Sequence, residues 1–218
     1  MLLIIKNNNK RISAQSKPFD TFITKLMIKI FQKNKITTHL KNLLPTLSSI
    51  GYNKQTLVIS VKPEDLLFTL KILKFHTNTQ YSLLTAISGI DYPYRKRRFE
   101  LVYELLSIRF NCRVRVKTFV DEITPVTSAV SIFYAATWWE REIWDLFGVF
   151  FEQNDEIKRI LTDYGFEGHP LRKDFPLSGF VESRYDEKTK RVVCEPLEHA
   201  QEFRSFDFTS GWSVQSIK

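Results

Sequence analysis

The sequence predicts an α+β fold: a two-layer sandwich of a mixed sheet with helices, followed by a long extended carboxyl-terminal arm and preceded by a basic helical extension. Three observations carry this. Segments rich in β-branched and alternating residues are followed or separated by segments with apolar residues every three to four positions, in the order β-α-β-β-β and then helix. From Tyr164 onward, Gly165, Gly168, Pro170, Pro176, Gly179 and Pro196 rule out long regular elements. Charge is divided unevenly: residues 1–62 hold 11 basic and one acidic side chain, whereas residues 63–218 hold 21 and 23. The net charge of +8 therefore lies wholly in the first third.

Residues 1–18 read as a basic leader. Phe19, Phe22, Ile23, Leu26, Met27, Ile30 and Phe31 then recur at helical spacing with Lys25, Lys29 and Lys33 off that face. This amphipathic helix reads either as a contact for a membrane surface or a partner, or as a helix packed on its own core. A short helical piece, His39 to Leu44, ends at Pro45. Thr56 to Val61 is a strand. Pro63 opens a helix whose stripe is Leu66, Leu67, Leu70 and Leu73, with Glu64 and Asp65 at its positive end, Lys71 and Lys74 near its negative one, and His76 as a helix-end residue. Tyr81 to Ile90 is a second strand, closed by an Asp91–Tyr92–Pro93 turn. Phe99 to Arg109 and Arg113 to Val120 form a hairpin turning at Asn111–Cys112. Thr137 to Gly148 is a helix. Thr137 with Glu140 forms a capping box and Gly148 takes the terminating position. Ile160–Leu161 is a short strand and Pro196 to Phe203 a short helix. The expected divisions are 1–54 (extension), 55–163 (α+β domain) and 164–218 (arm).

The residues exclude several kinds of chemistry. The chain has two cysteines, Cys112 and Cys194, far apart and without a CxxC. A zinc or iron–sulfur site made by this chain alone is not expected, and both thiols are expected free. His39, His76, His169 and His199 show no HExxH or HxH spacing. Between Gly168 and Pro170, His169 reads as a side chain bonding backbone in a tight turn rather than as a proton carrier. There is no GxGxxG or GxxxxGK and no Ser nucleophile elbow. Glu140 and Glu142 point about 200° apart on a helix and cannot share a metal. Arg141 and Asp145, at i and i+4, are expected to pair. The Tyr92 to Phe99 segment, YPYRKRRF, reads as an RNA contact or as a solvated turn or contact for an acidic protein face. The near-neutral body weighs against RNA. No stretch approaches the ~20 apolar residues that span a bilayer.

The most informative run is Trp138 to Tyr185. A long irregular segment that carries its own Phe, Leu, Ile and Tyr anchors between paired charges is expected to be held by another surface. Four blocks carry a resemblance: SGIDYPYRKRRFELVYELLS (Ser88 to Ser107), WWEREIWDLFGVFF (Trp138 to Phe151), RILTDYGFEGHPLRKDFPLSGFVESRYD (Arg159 to Asp186) and RVVCEPLEHAQEFRSFDF (Arg191 to Phe208). In these the chain resembles the thirty-kilodalton subunit family of respiratory complex I, over about Leu67 to Trp212.

The resemblance implies a core, non-redox structural subunit of proton-translocating NADH:ubiquinone oxidoreductase. It would sit in the quinone-side module of the peripheral arm, on the matrix side of the mitochondrial inner membrane. It implies that this chain binds no cofactor, while the complex uses FMN, iron–sulfur clusters, NADH and ubiquinone. The implied partners are the forty-nine-kilodalton and PSST subunits in an obligate hetero-oligomer, with no nucleic acid. The residues expected at the partner interface are Glu140, Arg141, Glu142, Asp145, Arg172, Lys173, Asp174, Arg184, Tyr185, Phe203 and Phe206. The extension is expected to contact an additional subunit or the membrane surface. An abundance of Lys, Asn, Ile and Phe suits translation of an AT-rich genome, that of an organelle or of an AT-rich organism, and an organelle-encoded chain is expected. Two positions depart from the family pattern. Asn154–Asp155 stands where His-Pro is usual, and an Asn or Asp there can still cap the next turn. Ser210–Gly211–Trp212 replaces Ser-Pro-Trp.

Overall fold

A computed structural model of the chain describes residues 37–44, 46–53, 56–199, 201–206 and 208. The leader, the amphipathic helix from Phe19 and the Ser210–Gly211–Trp212 tail lie outside the described residues. The body is a five-stranded mixed sheet in the order β1-β2-β5-β4-β3. These strands are β1 (Leu47–Asn53), β2 (Thr56–Val61), β3 (Leu83–Asp91), β4 (Phe99–Ser107) and β5 (Cys112–Val120). The β2–β5 pair is parallel and the others antiparallel. Helices are α1 (residues 37–43), α2 (Leu66–Phe75) and α3 (Ala136–Phe147). Two-residue strands β6 (Val126–Thr127) and β7 (Phe151–Glu152) pair in parallel, and β8 (Val181–Asp186) and β9 (Arg191–Pro196) form an antiparallel hairpin.

One parity of each central strand builds the core. Leu57, Ile59 and Val61 of β2 stand beside Val114, Val116 and Thr118 of β5. Phe99, Leu101, Tyr103 and Leu105 of β4 face the same way through their β5 partners. All but Thr118 join a single hydrophobic cluster with Leu40 and Leu44 of the α1 segment, Leu66, Leu70 and Leu73 of α2, and Ile143 and Phe147 of α3. The helices therefore share one side of the sheet. Burying each of these side chains contributes about 1.5–3 kcal/mol before the entropy of ordering is subtracted.

The α+β class matches the sequence reading, and strands β2 to β5 fall within two residues of the expected spans. Strand β1 is new. Its LSSIGYN sequence carries Ser and Gly, and its ladder with β2 supplies the order that propensity does not. The sheet thus starts at Leu47, and the buried Leu40 and Leu44 extend the body ahead of the expected boundary at residue 55. The Ile160–Leu161 strand does not form, because both N–H groups turn to Asp145. Described residues 197–206 hold no helix; they are mostly exposed, and so short an isolated helix is marginal in water.

Candidate docking surface and its bracing

Helix α3 ends as its sequence predicts, with Gly148 left-handed at φ 76° and its N–H donating to Trp144 O. The next three carbonyls are bonded by a segment more than twenty residues further on. His169 Nδ1 lies 2.9 Å from Asp145 O, Leu171 N donates to Leu146 O at 3.1 Å, and Arg172 Nε donates to Phe147 O at 2.6 Å. The GHPLR run is therefore a helix cap supplied from a distance. The Arg172 cation also sits at the negative end of the helix dipole. His169 takes the backbone-bonding role expected of it.

The two charged residues expected to pair on α3 do not. The buried Asp145 carboxylate accepts from Ile160 N (3.2 Å), Leu161 N (2.9 Å), Thr162 N (3.0 Å), Thr162 Oγ1 (2.6 Å) and Arg159 Nη1 (3.0 Å). Burial raises its pKa, but the hydroxyl and backbone donors outweigh that and hold it at about 2. Arg141 instead donates to Lys158 O at 3.2 Å and lies 4.9 Å from the Trp138 ring centroid. The spacing was right for a pair, but five converging donors outcompete one flexible guanidinium.

The capping box is likewise replaced. Ala135 holds the N-cap position, and Thr137 Oγ1 bonds Tyr134 O. Glu140 turns inward, where Ser128 Oγ (2.7 Å), Ala129 N (2.7 Å) and Asn154 Nδ2 (2.9 Å) donate to it. Burial lifts its pKa despite these three donors. Asn154 also caps the turn after the helix through Glu156 N, as expected of Asn at that position.

A second brace joins residues 172–174 to the sheet. Arg98 donates to Asp91 through Nε (2.7 Å) and Nη2 (2.9 Å), to Glu122 at 2.5 Å and to Asp174 at 2.9 Å. Lys173 N donates to Asp91 at 2.8 Å. The Arg98 guanidinium holds both Asp91 and Asp174 below the ordinary carboxylate range, while Asp91 first and then Asp174 raise that of Arg98.

Of the expected interface residues, Glu140 and Asp145 are fully buried, so both are corrected out of the exposed set. Arg172 and Asp174, with the Lys173 backbone, bond to their own domain. Arg141 and Glu142 are half-buried. Arg184, Tyr185, Phe203 and Phe206 are exposed; Arg184 makes a bidentate pair with Glu195 across the hairpin. Register puts Val181, Ser183, Tyr185, Val192, Cys194 and Pro196 on one hairpin face, and Glu182, Arg184, Asp186, Arg191, Val193 and Glu195 on the other. The first face is apolar and open: Val181, Tyr185 and Val192 are 58%, 60% and 66% exposed. The sequence reading missed this hairpin; the period-two alternation of VESRYD is the signal that could have found it.

These features define a class: an α+β scaffold whose buried charges brace its own loops, and whose open surface is an apolar, strand-shaped face of the kind found on a subunit of a larger assembly. The model of the respiratory-chain NADH dehydrogenase 30 kDa subunit family matches residues 59–181. NADH-ubiquinone oxidoreductase subunit 9 of Reclinomonas americana is 60% identical over 166 residues, covering 76% of this chain and 81% of that protein. NADH dehydrogenase (ubiquinone) iron-sulfur protein 3 of Oryza sativa subsp. japonica is 61% identical over 153 residues, covering 70% of this chain and 80% of that one. A chain of the membrane-bound sulfane sulfur reductase, an archaeal respiratory membrane complex, shares the fold with a TM-score of 0.60 and 26% identity, covering 74% of this chain and 99% of that chain. The chain belongs to the 30 kDa subunit family, and so to the subunits of NADH-ubiquinone oxidoreductase.

The rice relative's name mentions iron and sulfur, but the donors here do not fit a cluster. Fe–S clusters are held by four protein ligands, mostly thiolates. This chain has two cysteines: half-buried Cys112, bonded to Tyr81 Oη, and exposed Cys194 on β9. Among the described residues, no three His, Cys, Asp or Glu side chains converge as metal ligands, and no helix is long and apolar enough to cross a membrane.

Proposed function

We propose that the chain is a non-redox structural subunit of the quinone-side module of complex I. It stands in the peripheral arm on the matrix side of the inner mitochondrial membrane. Its α+β body forms a rigid flank, and the stretch after Phe175 is an arm that docks on the forty-nine-kilodalton and PSST subunits. Electron tunnelling between clusters depends on fixed distances, so a chain that holds its neighbours in register serves the reaction without touching an electron. The basic extension, with 10 cations and one acid through residue 54, is assigned to an additional subunit or the membrane surface.

The observation that carries this reading is the open apolar hairpin face. A lone two-stranded hairpin is marginal in water and becomes stable when one face is covered. Phe203 and Phe206, 70% and 63% exposed, continue the same chemistry. The test replaces the chromosomal or organellar copy with a chain carrying Tyr185→Asp and Val192→Asp, and with Glu182→Gln on the opposite hairpin face as control. Blue-native electrophoresis with NADH-driven tetrazolium staining is the readout. The double variant is expected to deplete the NADH-active complex at least about tenfold, since a buried unpaired charge costs several kcal/mol, and the control to leave it intact. Normal complex abundance in the double variant would reject the docking arm.

A further inference from the structure

Strands β4 and β5 have a second face, turned away from the helices. Register places Glu100 beside Phe119, Val102 beside Lys117, Glu104 beside Arg115 and Leu106 beside Arg113 on it. Glu100 is held between Lys117 Nζ at 2.6 Å and Arg95 Nη1 at 3.3 Å, and Glu104 meets Arg115 at 2.5 Å. The carboxylates lie beneath and the cations above: the Glu100 side chain is 4% exposed, that of Arg95 51%. Arg95 also pins the YPYRKRRF turn to this face, 3.8 Å from the Tyr92 ring centroid and 6.0 Å from that of Phe119. Lys96 and Arg97 of the turn are exposed, and Arg113 is exposed at the opposite end of the face. Ile90 and Leu83 of β3, paired with Glu100 and Leu106, border the cations at 37% and 44% exposure.

We propose that this outer sheet face, with the turn at 94–97, docks an acidic segment of a neighbouring protein subunit. Its outward charge is cationic, which selects an Asp- or Glu-bearing partner. Arg and aromatic side chains mixed with exposed aliphatic ones are the composition of a protein interface. RNA fits less well, because the Tyr92 ring is already covered by Arg95, which leaves Tyr94 as the fully exposed stacking platform on the turn. Residues 1–36 and 209–218 are not themselves such an acidic segment. Residues 1–36 carry eight cations and only Asp20 as an acid, and residues 209–218 carry no acid. The surface lies across the sheet from α3 and is independent of hairpin docking.

The test is carbodiimide cross-linking of the native complex in mildly solubilised membranes, followed by peptide mass spectrometry. This reagent joins lysines to carboxylates only at direct contact. Lys96 and Lys117 are expected to link to Asp or Glu side chains of one neighbouring subunit. Arg97→Glu with Arg113→Glu is expected to lower the yield of that link by at least about tenfold, because like charges are then set against the acidic segment. Links confined to this chain, with Lys96 acetylated as fast in the complex as in the free chain, would overturn the proposal. Ultraviolet cross-linking of this turn to RNA in the complex would overturn it too.

Discussion

Replacing Asp145 by Asn keeps the size of the side chain and removes its charge. Five donors converge on the carboxylate, three of them consecutive backbone N–H groups of residues 160–162. An amide offers one acceptor oxygen and turns an NH2 toward donors that cannot receive it. Hydrogen bonds to a charged group are worth about 1.5–3 kcal/mol each, and stranded donors add to the loss, so about 2–4 kcal/mol of stability should disappear. In a chain of this size that lowers Tm by roughly 5–12 °C. The pH dependence gives a second reading. The carboxyl is held at about 2, against an ordinary 3.8. Because its folded pKa is depressed, its contribution is present above 3.8 and is lost as pH falls toward 2. The displacement corresponds to about 2.4 kcal/mol at neutral pH, of which about half remains at pH 3. Chemical denaturation of the full chain, followed by tryptophan fluorescence at both pH values, measures the gap between native and variant. Hydrogen exchange in the intact complex should show residues 160–162 losing protection. Equal stability at neutral pH, or a gap that does not narrow in acid, would refute the bracing role.

Two further substitutions probe the same architecture. Arg98→Ala leaves the Asp91 side chain, which is 0% exposed, without its cation; a loss of about 3–5 kcal/mol is expected in denaturant titration, and a loss under 1 kcal/mol would show the hub to be incidental. Gly148→Ala places a Cβ 2.6 Å from Arg172 Nη2 and from the His169 ring in a backbone at φ +76°. The left-handed conformation alone costs about 1–2 kcal/mol and the displaced cap adds to it. Gly51→Ala, with open space around its Cβ, should change Tm far less, and equal effects of the two would remove the steric argument.

Elements whose sequence pattern reports their own burial were legible. Arg113, Arg115 and Lys117 alternating with Val114 and Val116 announced β5, and Leu66, Leu70 and Leu73 announced α2. What escaped was decided by groups far along the chain. Arg141 and Asp145 have textually adequate spacing for an ion pair, as Thr137 and Glu140 have for a capping box. Both carboxylates were captured by donors 11 to 17 residues away. One signal was available. A segment such as Arg159 to Thr162, without regular structure, still has N–H groups that need acceptors, and a carboxylate on the preceding helix is a natural one.

The same accounting changes where the arm begins. Residues 164–175 looked like free chain because Gly and Pro interrupt them. Their side chains and N–H groups instead cap α3 and bind Arg98, Asp91 and Glu122, so this stretch is part of the body. Phe175 and Phe180 then stack edge to face at 5.4 Å, and Leu197 N donates to Phe180 O, which carries the order to the root of the hairpin. Ordering a residue costs about 1–2 kcal/mol of backbone entropy. For the docking arm proposed above, the dozen residues that lead into it are already fixed on folding and add none of that cost, and preorganisation of this kind raises affinity without new contacts. It also fixes the direction in which the apolar hairpin leaves the domain. On the structural role proposed above, a rigid root would matter as much as the docking face, because a flexible one would let bound partners drift relative to each other.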